Sequence, residues 1–409
     1  MKHEDILAAA FRVWGREAYK KMSLTEVAAE LGVTKPALYR HFRDKDQLLA
    51  AMRAAFFDRY AEAMKAAFPS GLSGVTDSIP KVLRLLETLA AYFGARPWDM
   101  AFMFARIMRY SDVDQVFAAE LAARDIKLDS QEGRPDPLRD QAQVAVATCF
   151  FLVALFHLER KRWQVPLPAA RGELAGLTAS ILKLAAHGLG GGAGYTPGAR
   201  APSGFPDMDY AALDSKARLS QAETATPDGL LQAVAAVVAK AGSWNASMEM
   251  VAKRSGLSKS GLYSHFRSKE DMLLRLFSAE FERISEVIAK RLQGTNPPAE
   301  RLYLAMASAS EYLLARPDIL VALDWMRMQR IGVPDLLPPR LLELFSFLED
   351  KGAGMRLVGG SLGTTVRWIL FLTIHQLMRC AGSAQPSHKE CLRALHRFML
   401  QGLMEEVIL

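Results

Sequence analysis

Apolar positions recur at helical spacing through most of this chain, with polar or Gly/Pro-rich breaks between them. Residues 6–14 carry that period and predict a first helix. Ser23 opens a second, with Glu26 three residues on as a capping box and Val27, Ala28 and Leu31 as the buried stripe. Gly32 stands where the chain must turn sharply. Thr34 is placed to cap a third helix over 35–42, with Pro36 in its first turn. Asp44 caps a fourth, whose apolar face carries Leu48, Leu49 and Met52. Two short helices joined by a Gly-containing turn form a helix-turn-helix, a unit that lays its second helix in the major groove of DNA.

The pattern occurs twice. Writing 23–49 over 247–273, at a constant offset of 224, gives 12 identities in 27 positions without a gap. The second copy has Ser247 opening its helix, Gly256 in the turn and Ser258 as cap of a helix over 259–266, but Met250 replaces the Glu of the capping box. Upstream, a one-residue slip brings Tyr19 opposite Trp244. Tyr92 and Ala95-Arg96-Pro97 recur as Tyr312 and Ala315-Arg316-Pro317, the apolar helix around His157 recurs around His375, and Gly188-Leu189 recurs as Gly402-Leu403. An internal repeat on this scale is a duplication.

Composition narrows the class. The 409 residues suffice for several domains, and with half of them hydrophobic, sizeable cores are expected rather than global disorder. A net charge of +7 fits a nucleic-acid partner without requiring one. Cys149, Cys380 and Cys391 have no metal or redox spacing and read as reduced thiols of a cytoplasmic protein. The most apolar stretch, 144–156, is shorter than the roughly 20 residues of a membrane span and reads as a buried helix; no signal segment is expected. Metal-ligand spacings, catalytic motifs and phosphate-cradling glycine loops are missing from the sequence, so neither an enzyme nor a cofactor is expected. Gly190–Gly194 reads as part of a Gly/Pro-rich linker over 190–227, a flexible coil in which 208–219 could form a short helix.

The run GVTKPALYRHFRDKDQLL and its counterpart GLSKSGLYSHFRSKEDML, with the shared core at Leu38–Lys45 and Leu262–Lys269, resemble the N-terminal DNA-binding domain of the TetR family. The resemblance covers the first 50–55 residues of each copy. It implies an all-α chain of two tandem TetR-like units, each a three-helix helix-turn-helix domain followed by a helical ligand-binding and dimerisation domain. The expected boundaries are 1–55 and 228–279 for the DNA-binding domains, 56–189 and 280–409 for the effector domains, and 190–227 for the linker. DNA contacts follow residue by residue. Lys35 and Lys259 would reach phosphate or a base edge, and Tyr39, His41, Tyr263 and His265 would serve phosphates. Lys45 and Lys269 add charge at a helix start, and Thr34 and Ser258 would cap while touching phosphate. Sequence reading would fall on Pro36, Ala37 and Arg40 against Ser260, Gly261 and Ser264; Arg reads guanine bidentately while Ser reads weakly, so the half-sites should differ.

The remaining halves, 78–189 and 298–409, each fit five or six helices. Trp98, Phe102, Met103, Arg106, Tyr110 and His157, with Leu323, Trp325, Arg327 and His375, would line pockets for a small apolar or amphipathic effector; core packing accounts for the apolar ones equally well and is the favoured reading of both histidines. The resemblance also implies a four-helix bundle from 139–161 and 174–188 with 354–379 and 389–404. Gly359, Gly360, Ser361 and Gly363 would allow close helix approach there. The two units would pair within one chain; a dimer of chains is the alternative. The function implied is a ligand-responsive repressor on a two-part operator. Its rivals are a ligand-binding or protein-interaction module with inactive readers, and a non-specific architectural DNA binder.

Overall fold

The computed structural model describes residues 2–16, 23–107, 113–128, 137–159, 171–190, 208–220, 223, 229–295, 297–329, 337–350, 355–380 and 387–403. Among these the regular structure is helical. In order the helices are α1 (His3–Arg16), α2 (Leu24–Glu30), α3 (Lys35–Tyr39), α4 (Lys45–Ala67), α5 (Ile79–Ala95), α6 (Pro97–Phe102), α7 (Val113–Ala122), α8 (Pro137–Glu159) and α9 (Arg171–His187). They continue as α10 (Tyr210–Ala217), α11 (Gly229–Asn245), α12 (Met248–Ser255), α13 (Lys259–His265), α14 (Lys269–Leu292), α15 (Pro298–Leu314), α16 (Pro317–Gln329), α17 (Pro339–Leu344), α18 (Leu362–Cys380) and α19 (His388–Gln401). The fold is all-α, two TetR-like units in tandem. Contacts divide the chain into two compact units, Met1–Arg139 with Cys149–Leu182 and Asp140–Thr148 with Lys183–Leu409.

In the first unit α1 to α3 close around Ile6, Ala9, Ala10, Val27, Leu38 and Phe42, all buried. The long α4 leaves this cluster and enters the effector half, where Phe56, Tyr60, Phe93 and Phe102 cluster with ring centroids between 6.0 and 6.4 Å. Helix α6 lies against α1: the Trp98 ring fills the space where a Gly15 side chain would stand, and Phe11 meets Phe102 edge-on at 5.2 Å. Helix α8 is the one helix among the described residues long and apolar enough to cross a membrane, and 72% of its most apolar window is buried within the protein. It extends well beyond the 144–156 core read from hydropathy, because half-buried ends continue the helix on both sides.

The second unit repeats this plan, with α11 packed on α16 and α14 on α15. Two expectations change, and a third is sharpened. The bundle helix expected from residue 354 begins only at Leu362, because Gly359 and Gly360 adopt φ of 61° and 70° in the turn before it. Cys380 and Cys391, expected as reduced thiols, form a disulfide: the end of α18 and the start of α19 return against each other and bring the two together. The short helix foreseen within 208–219 is present as α10, and it is docked rather than part of a free coil. Asp209 caps α10, and its buried Asp214 accepts hydrogen bonds from the Tyr303 hydroxyl at 2.6 Å and from Arg393 at 2.5 Å. Beyond it, Arg291 holds Glu223 and donates to the Arg218 carbonyl. These partners lie 68 to 179 residues apart along the chain, beyond what local composition can signal. Residues 191–207, the most Gly/Pro-rich part, lie outside the described residues.

The ends of α9 and α19 approach closely within the second unit. A side chain on Gly188 would meet the Met399 carbonyl oxygen at 2.5 Å, and one on Gly402 would meet the Ala186 carbonyl carbon at 2.5 Å. The Leu403 amide donates to the Ala185 carbonyl at 2.7 Å. Glycine is needed at both positions because backbone meets backbone there.

Candidate nucleic-acid interface

The turn between α2 and α3 follows from Gly32 at φ 66°, and that between α12 and α13 from Gly256 at φ 71°; both conformations are costly for residues bearing a Cβ. The capping box at Ser23 is complete, Glu26 accepting from the Ser23 amide at 2.7 Å while the Ser23 hydroxyl accepts from the Glu26 amide. Ser247 keeps its half of the arrangement, accepting from the Met250 amide. Asp44 and Ser268 cap α4 and α14 in the same way. The third-helix caps differ. Ser258 accepts from the Gly261 amide at 3.0 Å, whereas Thr34 stands at the cap position without a side-chain cap bond. Pro36 removes one of the two amides a cap side chain can serve. Both recognition helices are shorter than the pattern predicts, ending at Tyr39 and His265.

The two helices present matching faces. Leu38 and Phe42, like Leu262 and Phe266, are buried and hold each helix to its domain. Thr34, Lys35, Pro36, Tyr39, Arg40 and His41 are exposed, as are Ser258, Lys259, Ser260, Tyr263, Ser264 and His265; Ala37, Lys45, Gly261 and Lys269 are half-buried. Tyr39 and Tyr263 are 43% and 48% exposed, unusual for large rings with no core role. The Lys35 ammonium lies 5.6 Å from the Tyr39 ring centre. Burial lowers the pKa of the Lys269 ammonium. The Ser264 hydroxyl donates to the Gly261 carbonyl at 2.6 Å, and the Ser258 and Ser260 hydroxyls are 3.0 Å apart. The second reader's hydroxyls are thus engaged with their own helix.

The family model described as "Bacterial regulatory proteins, tetR family" matches residues 6–52 and again 230–276. The chain carries the TetR-family DNA-binding domain twice. It is a DNA-binding regulator of that type. Among solved structures, the fatty acid degradation regulator FadR from Bacillus halodurans is similar at 19% identity, covering 44% of this chain and 99% of its own, with a TM-score of 0.34. The TetR family transcriptional regulator PfmR from Thermus thermophilus is similar at 23% identity, covering 44% and 98%, with a TM-score of 0.32. No curated protein matches.

The residues expected to line effector pockets fall in unlike settings. Trp98 and Phe102 lie at the contact with α1, Met103 and Leu323 are buried, and His157 is fully buried with its Nε2 2.8 Å from the Phe93 carbonyl. His375 is half-buried and stacks on Phe371 at 6.4 Å. The matching histidines therefore have different surroundings. Tyr110 lies outside the described residues, as do the side chains of Arg106, Trp325 and Arg327. A groove of about 460 Å³ in the second unit, lined by Arg218, Leu219, Glu311, Ala315, His388 and Lys389, includes none of these ten.

The effector halves also bury charge, at positions that no local sequence motif marks. Asp99 accepts from the Tyr92 hydroxyl at 2.7 Å and pairs with both Arg59 nitrogens that face it. In the second unit Glu280 accepts from Tyr312 at 2.7 Å, Arg316 at 2.9 Å and Arg283 at 2.8 Å. Burial, and then the adjacent carboxylate, raises the pKa of the Tyr92 and Tyr312 hydroxyls above the ordinary range. Fully buried His396 has its Nε2 2.9 Å from the Ala299 carbonyl and its Nδ1 3.1 Å from the Tyr210 hydroxyl; burial pushes its pKa down to about 3.

Proposed function

We propose that this TetR-family regulator acts as a single-chain counterpart of a dimer, a repressor whose two readers occupy two unlike half-sites and are released by a small apolar or amphipathic effector. The observation that carries the reading is the pair of exposed faces on α3 and α13. They share Lys, Tyr and His at matched positions but differ at Pro36, Ala37 and Arg40 against Ser260, Gly261 and Ser264. Lys35, Tyr39, His41 and Lys45, with Lys259, Tyr263, His265 and Lys269, serve phosphates, as do Thr34 and Ser258. Arg40 reads a base edge, and the serines and glycine of the second helix read weakly. The domain boundaries follow the repeat: readers at 1–55 and 228–279, effector halves at 56–189 and 280–409, and a connection at 190–227. Pairing of the two repeats within one chain is the arrangement the duplication favours, and a dimer of chains is the alternative. Such a protein works in the cytoplasm, where its operator is.

Selection from randomised duplex DNA at physiological salt tests this. Two unlike half-sites, centred about one helical turn or roughly 34–36 Å apart, are expected. A palindrome would indicate pairing between chains, and no enrichment would leave a ligand-binding module without readers.

A further inference from the structure

We propose that Asp99 is a positioning residue for the first DNA reader, a buried lock whose counterpart in the second repeat, at Glu280, is built from exchanged positions. The inference rests on the family's DNA-binding role and adds to it the part of the fold that sets reader orientation.

The offset of 224 that aligns the readers carries α4 onto α14 without a gap, so Arg59 corresponds to Arg283 and Phe56 to Glu280. An offset of 220 carries Tyr92 onto Tyr312, Arg96 onto Arg316 and Asp99 onto Ile319. Each repeat therefore holds one tyrosine, two arginines and one carboxylate at this place, but the carboxylate has moved. In the first it projects from α6 and Phe56 is fully buried on α4; in the second it projects from α14 and Ile319, on α16, is 2% exposed. Acid and hydrophobe have exchanged helices while the donors stayed. Such compensation is expected when the cluster, rather than either position, is what the fold requires.

The cluster's location says what it is required for. The Arg59 guanidinium lies over the ring of Phe11 on α1 at 4.7 Å and reaches Asp99 on α6, which accepts from Tyr92 on α5. Trp98, the neighbour of Asp99, packs on Gly15 of α1. The reader's first helix, the connecting helix and two effector helices thus converge on one buried charge. Apolar contacts tolerate sliding; a buried carboxylate held by three directed bonds does not. Orientation of the reader against its effector half is thereby fixed before DNA arrives.

The test exchanges the two arrangements. Asp99→Ile, Asp99→Asn, Phe56→Glu and the double variant Phe56→Glu/Asp99→Ile are compared with wild type by amide hydrogen exchange without DNA and by fluorescence anisotropy with a selected duplex. Asp99→Ile is expected to raise exchange in 3–16 by about tenfold or more while 149–156 holds, and to weaken binding similarly. Asp99→Asn should fall between, and the double variant should return both readouts to within about threefold of wild type. Wild-type exchange in 3–16 for both single Asp99 variants, or a double variant no better than Asp99→Ile, would overturn the proposal. Should Asp99→Ile fail to fold, Asp99→Asn and the double variant decide it. Should wild type bind no duplex, the DNA reading fails while the exchange measurements still decide the lock.

Discussion

The two repeats share the lysine, tyrosine and histidine of their reader surfaces and differ in where they bury an acid. On α3 and α13 the lysine, tyrosine and histidine stand at identical places with closely similar exposure. Inside, one repeat holds its charge on α6 as Asp99 and the other on α14 as Glu280. The difference is physical. A side chain that meets an external partner of fixed geometry is useful at one position, whereas a buried cluster must only sum to the right donors and acceptors. Duplication leaves the first kind of residue in register and lets the second wander.

The largest predicted effect comes from matched arginines. Asp99 has Arg59 as its ion-pair partner, while Glu280 is bonded by both Arg316 and Arg283. Arg59→Met should destabilise the first unit by roughly 3 kcal/mol, the cost of leaving a buried carboxylate without its cation. Arg283→Met should cost the second unit about half as much, because Arg316 remains. Calorimetric unfolding of the two variants checks this, and equal losses would show that the clusters are not the source of the asymmetry.

The readers supply the next contrast. Arg40→Ala should lower affinity for its half-site by roughly 10- to 100-fold, corresponding to about 1–3 kcal/mol of base discrimination. Ser264→Ala should change affinity less than about threefold, since its hydroxyl already donates to Gly261. Titration of duplexes altered in one half-site separates the two. Comparable losses would mean that both readers specify sequence equally.

These surfaces were legible because their signals are local: Gly at the turn, Ser or Asp at the cap, apolar residues at a short period. The capping box at Ser23 lies entirely within four residues. Thr34 shows the limit, since the cap position was readable but Pro36 removes an amide its side chain would serve. The buried charges were not legible, because Asp99 finds Arg59 forty residues away and Glu280 finds Arg316 thirty-six away. A signal was nonetheless present. Glu280 interrupts the apolar face of α14 beside Phe277 and Phe281, and Tyr92 and Arg96 recur without their acid. The helix over 208–219 was legible but its docking was not, because the partners of Asp214 stand far along the chain, and the Cys380–Cys391 pair was hidden by an 11-residue separation whose closure depends on how two helices return.

Burial of His396 should make the second unit sensitive to acid. His396 is buried against Ala299 and Tyr210, whereas the position six residues before Gly188, matching His396 before Gly402, is the untitratable Leu182. With a folded pKa of about 3, His396 refuses a proton that the unfolded chain accepts near 6.5. The unfolded state therefore binds more protons between these values. Stability is full above about pH 6.5 and falls with decreasing pH, by at most about 1.4 kcal/mol per unit. Unfolding of wild type and His396→Leu between pH 7 and 4.5 should show the slope flattened in the variant. An unchanged slope would assign the acid sensitivity to the carboxylates.

The smallest effect lies at the recognition-helix caps. Ser258 accepts from the Gly261 amide, so Ser258→Ala removes a bond that orders the start of α13 and should cost about 1 kcal/mol. Thr34 makes no such bond, and Thr34→Ala should cost only a few tenths, about 0.3 kcal/mol. Pro36 compensates in the first reader by fixing its own φ, which lowers the entropy lost on forming α3. Replacing it should therefore reverse the order of the two caps: in a Pro36→Ser background the second helical amide is restored, and Thr34→Ala should then approach the cost of Ser258→Ala. Amide exchange in 34–42 and 258–266 reads this directly. If Thr34→Ala remained silent with serine at 36, the cap's weakness would lie in threonine itself rather than in the proline beside it.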